Sequence, residues 1–277
     1  MSIAFIGTGN MGGALLRGIL AGGQEPGGVT ATTRGAASAE ELAAELGIRA
    51  LSLEADPTAN RTAVTGADLV FLGVKPWMLA DTLTEVRDAL APGAVLVSMA
   101  AGVDAATIRR AAPGHPVVRI MPNTPCAVGA GVISLAPDAQ VPADVVEELT
   151  ALLTPVGLVV PVEEAQLPLL TGISGSGVAY FFQLAEHLVD TAVAQGLDAE
   201  VAARTVAATA AGAGRLLADR PEPAALRTAV TSKGGTTAAA LDAFAAGGFA
   251  QLVENAVQAA EDRSLEMEAE NRGTVGN

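Results

Sequence analysis

Two rhythms of apolar residues divide this chain. Up to about Val160, short apolar runs alternate with helical stripes; beyond it only the helical period remains. The first run covers residues 3–6, and Leu15, Leu16, Ile19 and Leu20 form a helical stripe after it. Further strand-length segments lie over residues 28–34, ending near Thr33, and over 48–51, 68–74, 94–98, 117–121 and 157–160. Helices are predicted over 38–46, closed by Gly47, over 143–153, and from Pro76 onward. Strands apolar along their whole length, alternating with helices, predict a parallel sheet covered on both faces. The fold class is therefore α/β: an N-terminal Rossmann-like doubly wound sheet over 1–160, then an all-α domain over 161–277, with the boundary near Pro161.

The helical half has a pattern of its own. Residues 178–194 are apolar almost all round, with Phe181, Phe182, Leu184, Leu188, Val189 and Val193. Such a helix has to be covered on most faces, and a small helical domain has little interior to cover it. A homodimer through the C-terminal helices resolves that conflict. A last helix over 249–268 shows one stripe, Phe249, Leu252, Val253, Ala256, Val257 and Ala260. The tail 271–277 is expected to be disordered, and there is no internal repeat.

Candidate chemistry begins directly after the first strand. Gly7, Gly9 and Gly12 carry the spacing G-x-G-x-x-G between a strand and a helix. The first glycine permits a tight turn, the second lets the backbone approach a pyrophosphate, and the third lets helix and strand pack closely. The free N–H groups of the helix then face the anion. At the end of the second strand an NAD site usually places an acidic residue; here stand Thr32, Thr33 and Arg34. Hydroxyls and a guanidinium suit a 2′-phosphate, which predicts NADP. Arg34 as a plain solvated residue is the other reading. Lys75, one of two lysines, ends the fourth strand and so faces the ligand crevice. Asn123, between Pro122 and Pro125, either bonds a ligand or serves its own backbone in a turn.

Charge and composition narrow the partners. The net charge of −14 argues against a nucleic-acid binder, so an anionic cofactor has to be held by helix ends and a few arginines. One cysteine, Cys126, excludes an intrachain disulfide and suits a reducing compartment. The N-terminus lacks the flank and core of a signal peptide, and no apolar run reaches the roughly 20 residues of a membrane span. The expected setting is cytoplasmic, with a small-molecule substrate, no membrane and no metal. In the helical half, three loops join small residues to hydroxyls: Ser174-Gly175-Ser176-Gly177, residues 232–237, and Gly247-Gly248. The second, Ser232-Lys233-Gly234-Gly235-Thr236-Thr237, runs into the helical Ala238-Ala239-Ala240-Leu241. Either its free N–H groups bind a small carboxylate, or Thr236 or Thr237 simply caps the helix.

The motifs together resemble the pyrroline-5-carboxylate reductases, which make L-proline. They are IGTGNMG at 6–12, VKP at 74–76, NTP at 123–125, TG-I-SGSG at 171–177 followed by Ala179-Tyr180, and the signature region Leu226…Val230-Thr231-Ser232-x-Gly234-Gly235-x-Thr237. The resemblance implies NADPH-dependent hydride transfer to a cyclic imine, NADPH being preferred over NADH. It implies cofactor contacts from Gly7, Thr8, Gly9, Asn10, Met11 and Gly12; from Thr33, Arg34 and Asn60 at the 2′-phosphate; and from Val74, Lys75, Pro76, Ala100, Ala101 and Asn123 on the ribose and nicotinamide side. Ser176, Lys233, Gly234, Gly235 and Thr236 would bind substrate. Ser232 and Thr237 are the catalytic candidates, with the Thr237 hydroxyl at the ring nitrogen. In this family the loop lies across the dimer interface, so a complete site uses both chains, and dimers can build rings.

Lys233 stands where the family signature has proline, and Val178 where a helix-opening proline is usual. Lys233 stays solvated, pairs with the substrate carboxylate, or shifts the loop; it bears on substrate range more than on reaction type. A protonated imine is already an electrophile, so the lack of an obvious His–Asp pair is consistent, and His115 and His187 read as structural. Two other functions remain open at this point. One is a β-hydroxyacid dehydrogenase-like oxidoreductase using Lys233; the other is a non-catalytic NADP-binding protein.

Overall fold

The computed structural model describes residues 1–274. The chain opens β1 (Ile3–Ile6), α1 (Asn10–Ala21), β2 (Val29–Thr33), α2 (Ala36–Leu46), β3 (Arg49–Ser52) and α3 (Ala59–Val64). It continues β4 (Leu69–Leu72), α4 (Leu79–Val86), β5 (Val95–Ser98), α5 (Ala105–Ala111) and β6 (Val117–Pro122). Next come β7 (Gly131–Pro137), α6 (Ala143–Leu153), β8 (Gly157–Pro161) and the single turn α7 (Leu167–Leu170). Among the described residues these strands form one eight-stranded sheet in the order β3-β2-β1-β4-β5-β6-β7-β8. Every pairing is parallel except β6 with β7.

At the centre of the sheet both faces are buried, which is why β1, β4 and β5 are near-continuous apolar runs. Ile3 and Phe5 of β1 point toward α1 and α6 and pack with Leu15, Leu16, Ile19, Leu149 and Leu153. Ala4 and Ile6 point the other way and pack with Leu79, Leu83, Val86 and Ile108 of α4 and α5. Phe5 and Phe71 are register partners on β1 and β4 and stack with centroids 4.4 Å apart. Burying each such side chain contributes about 1.5–3 kcal/mol.

One strand has no sequence prediction. Residues 131–137 form β7, which returns antiparallel to β6 after a 3₁₀ turn (Thr124–Val128) ended by Gly129 at φ +68°. Its flanking glycines and the polar Ser134 break the run that would otherwise mark a strand.

The chain divides into two compact units, Met1–Gly175 with the residues from Ala259 on, and Ser176–Gln258. The first unit thus runs past Pro161, where the boundary was expected from sequence. Strand signal stops there, but packing on the sheet does not. Leu167 is buried, and the Ser174 carbonyl accepts from the Asn123 amide at 3.0 Å. The Arg119 guanidinium on β6 bonds Glu164 at 2.9 Å.

The second unit holds α8 (Gly177–Ala194), α9 (Ala199–Asp219), α10 (Pro223–Ala229) and α11 (Thr236–Ala246); α12 (Phe249–Thr274) begins in it and ends in the first. Within this unit α8 lies against α9. In the single chain Phe181 and Phe182 are 70% and 67% exposed, and Leu252 is 61% exposed. So many large apolar groups left in water mark an interaction surface.

The disordered tail expected from Asn271 is corrected at Asn271 and Arg272 alone; residues 275–277 lie outside the described residues. The Asn271 amide donates to the Gly102 carbonyl at 2.7 Å, and the Arg272 guanidinium pairs with Asp104. Asp104 also caps α5 through the Thr107 N–H at 2.8 Å. Burial pushes the Asp104 carboxyl up, but the Thr107 and Arg272 bonds outweigh it and hold the group below the usual carboxylate range. One turn earlier Glu268 bonds Arg119 at 2.9 Å, and both side chains are nearly fully buried.

Replacing Arg119 with Met leaves Glu268 only a longer contact, to Arg272 at 3.8 Å. Arg119→Met should therefore cost about 3 kcal/mol in urea unfolding. Adding Glu268→Leu should recover most of that loss, because the stranded charge is then gone.

Candidate active site

The strand order reverses between β1 and β4, and a ligand crevice is expected at their carboxyl ends. A cavity of about 1140 Å³ opens there. Its walls are the turn after β1 (Gly7, Thr8, Gly9), residues 32–35 at the end of β2, Leu53 and Glu54 after β3, and Gly73, Val74 and Lys75 after β4. Asn60 of α3, with Ser38 and Met78, completes the lining.

The three glycines differ in what surrounds them. Gly7 has φ +82°, a conformation that other residues rarely adopt. A Cβ on Gly12 would lie 2.7 Å from the Gly7 carbonyl oxygen, so α1 can seat this close only with glycine. A Cβ on Gly9 would have no protein atom within 4 Å. Gly9 faces open space, and as the N-cap of α1 it offers no side chain to the free N–H groups behind it. An anion can therefore reach those groups.

Thr32 holds this turn from below. Its hydroxyl accepts the Gly7 N–H at 3.2 Å and donates to the Asn60 amide oxygen at 2.9 Å. Its carbonyl accepts the Thr8 N–H at 3.2 Å and the Thr8 hydroxyl at 3.1 Å. Thr32 reads in sequence as one more strand threonine; only the neighbouring strand shows it to be a brace.

At the far end of the cavity Arg34 is exposed, and among the described residues its guanidinium has no ion-pair partner. The Thr33 hydroxyl donates to the Gly35 carbonyl at 2.8 Å. Asn60 is buried against Thr32. Glu54 was not singled out by sequence, because no spacing rule brings the end of β3 to this site. Gly7, Thr8, Gly9, Thr33, Arg34, Asn60, Val74 and Lys75 are thus brought together, and they fit a dinucleotide: an open glycine turn, unpaired helix N–H groups and a free guanidinium. Asn10, Met11, Gly12, Pro76, Ala100, Ala101 and Asn123 do not line the cavity. Asn123 is buried, and its amide oxygen accepts the Val132 N–H at 2.9 Å while its nitrogen donates to Ser174. That geometry ties Asn123 to backbone groups distant along the chain rather than to its own turn. Burial pushes the Cys126 thiol up, which makes it a poor nucleophile. His115 contacts the Ala94 carbonyl at 3.2 Å and lies outside the lining.

In the second unit the turn before α11 is built on Gly234 at φ +72°. The Gly235 N–H donates to the Ser232 carbonyl at 3.0 Å, and a Cβ on Gly235 would run into the Ser232 hydroxyl. The N-cap of α11 is Gly235, with no side-chain cap. Neither Thr236 nor Thr237 caps the helix, and among the described residues their hydroxyls have no protein partner. The N–H groups of the first turn are left for a ligand. Lys233 is exposed with no ion-pair partner among the described residues. Ser176 precedes α8 and makes no side-chain cap.

Two family models match the chain. Residues 164–267 match the family model described as pyrroline-5-carboxylate reductase dimerisation, and residues 2–102 match NADP oxidoreductase, coenzyme F420-dependent. The chain is 40% identical to a pyrroline-5-carboxylate reductase of Pseudomonas aeruginosa, covering 96% of each chain. Its fold superposes on a pyrroline-5-carboxylate reductase of Coxiella burnetii with a TM-score of 0.89, at 32% identity over 96% of this chain and 98% of that one. The Plasmodium falciparum pyrroline carboxylate reductase with NADP bound gives 0.83, at 25% identity over 97% and 98%.

The glycines make a paired prediction. Gly9→Ala should cost less than about 1 kcal/mol of stability yet abolish dinucleotide binding, since its methyl group occupies the open space. Gly12→Ala should lower both, because a backbone carbonyl has to move. Thermal melts and calorimetric titration with NADPH separate the two outcomes.

Proposed function

This chain belongs to the pyrroline-5-carboxylate reductase family, and from that premise we propose that it reduces 1-pyrroline-5-carboxylate to L-proline with NADPH as its preferred donor. The observation that carries the reading is the loop at 232–237, whose glycine turn leaves the N–H groups of α11 and the Thr237 hydroxyl unpaired. A small imino acid offers a carboxylate to the first and a ring nitrogen to the second.

NADPH, when bound, supplies the hydride that adds to the carbon of the C=N bond. The residues then have four tasks. The turn at Gly7, Thr8 and Gly9 and the N-terminus of α1 hold the pyrophosphate. Arg34, with Thr33 beside it, faces the 2′-phosphate, while Val74 and Lys75 lie along the ribose and nicotinamide side. The N–H groups of Thr236 and Thr237 and the backbone of Gly234 and Gly235 hold the substrate carboxylate. The Thr237 hydroxyl accepts the N–H of the iminium and keeps that proton on the ring nitrogen as it becomes an amine. The iminium brings its own proton, so no strong acid or base is needed. Orientation supplies most of the acceleration.

The exposed apolar helices of the second unit fit a homodimer, with a ring of dimers as the larger assembly; light scattering distinguishes the two masses. In the dimer the cleft of one chain works with the loop of its partner. No described helix is long and apolar enough to cross a membrane. A single buried cysteine fits a cytoplasmic setting. Lys233, exposed and without an ion-pair partner among the described residues, is read as solvated at the loop edge.

Purified protein should oxidise NADPH only when pyrroline-5-carboxylate is present, and faster than it oxidises NADH. A folded, NADPH-binding protein that leaves the imine untouched would refute the reading. Thr237→Ala should lower kcat by on the order of tenfold to a hundredfold. NADPH affinity and melting temperature should stay nearly unchanged, since among the described residues the hydroxyl has no protein partner to lose.

A further inference from the structure

We propose that Glu54 limits how strongly this chain prefers NADPH over NADH. The inference rests on the reading that the cleft of the first unit takes a nicotinamide dinucleotide. Beyond β3 the chain turns so that Glu54 joins Arg34 and Ser38 in the cavity wall. The turn is tied down: the Glu54 N–H donates to the Arg34 carbonyl at 3.0 Å and to the Ser52 hydroxyl at 3.1 Å. The Glu54 carboxylate accepts the Ala36 N–H at 3.1 Å, at the first residue of α2. Gly35, the N-cap of that helix, has no side chain to do this. A carboxylate is therefore held where the adenosine 2′ substituent is expected.

Two opposed effects follow. A 2′-phosphate approaching this wall meets a negative charge, and finds the Ala36 N–H already taken. A 2′-hydroxyl meets a ready acceptor, the part an acidic residue plays in NAD sites. Arg34, which has no ion-pair partner among the described residues, pulls toward the phosphate. The ratio of the two cofactor affinities is set by the balance of Arg34 against Glu54.

The test is calorimetric binding of NADPH and NADH to the full chain and to Glu54→Gln, which keeps an acceptor for the Ala36 N–H while removing the charge. NADPH should bind about tenfold more tightly, with NADH unchanged or weaker. Glu54→Ser removes the charge by a different route and should move the ratio the same way. An unchanged ratio in both variants, or equal weakening of both nucleotides, would overturn the proposal. If the unaltered chain bound neither nucleotide, the proposal and the cleft reading would fall together. Imine-dependent oxidation, followed alongside, judges the reductase reading by itself: a shifted binding ratio without turnover would retain Glu54 and sink the reductase.

Discussion

The close approach of three backbones at the Gly7 carbonyl is the constraint on which the first unit depends. Gly12 of α1 and Gly73 after β4 both lie so near that oxygen that neither can carry a Cβ. Strand, helix and neighbouring strand meet there without side chains between them. The free end of α1 and the ends of β1, β2 and β4 are thereby gathered around one cleft. Thr32 fixes the same turn from the adjacent strand through the Gly7 N–H and Asn60. The turn is thus held by the protein's own contacts, and an anion bound there would need little further ordering.

A second constraint comes from the far end of the chain. α12 ends on the first unit, where Met267 sits over Gly102, Asn271 bonds its carbonyl and Arg272 pairs with Asp104. A Cβ on Gly102 would lie 2.6 Å from the Met267 Cβ, so the glycine at φ +69° serves both the turn and the helix packed on it. Buried Arg119 joins Glu164 and Glu268 beneath this contact. Such a buried ion pair selects one seating of the helix more than it adds stability, because both charges were well solvated before folding.

Charge around the cleft at the end of β1 is also set locally. The chain carries a net −14, so attraction for a phosphate has to come from a few oriented groups: the N-terminus of α1, Arg34 and Lys75. Each acts over a short distance, since charges at an exposed wall are screened within about 10 Å. One carboxylate within that range, as proposed for Glu54, would offset part of what Arg34 contributes.

The sequence by itself determined the alternation of strand and helix, the glycine turn after β1 and the helical character of the second unit, because these rest on local periodicity and on residues with special backbone freedom. Gly47 ending α2 and the bounds of α6 are of this kind. The motifs also located the loop at 232–237. Only the tertiary structure decided that β7 joins the sheet, that packing on it continues to Gly175, and that Asn271 and Arg272 are bonded rather than loose. The same holds for Thr32 as a brace, Glu54 as a wall of the cleft, and Asn123 as a tie to Val132 and Ser174. Each of those depends on partners distant along the chain, and no local period encodes which distant residue will lie opposite.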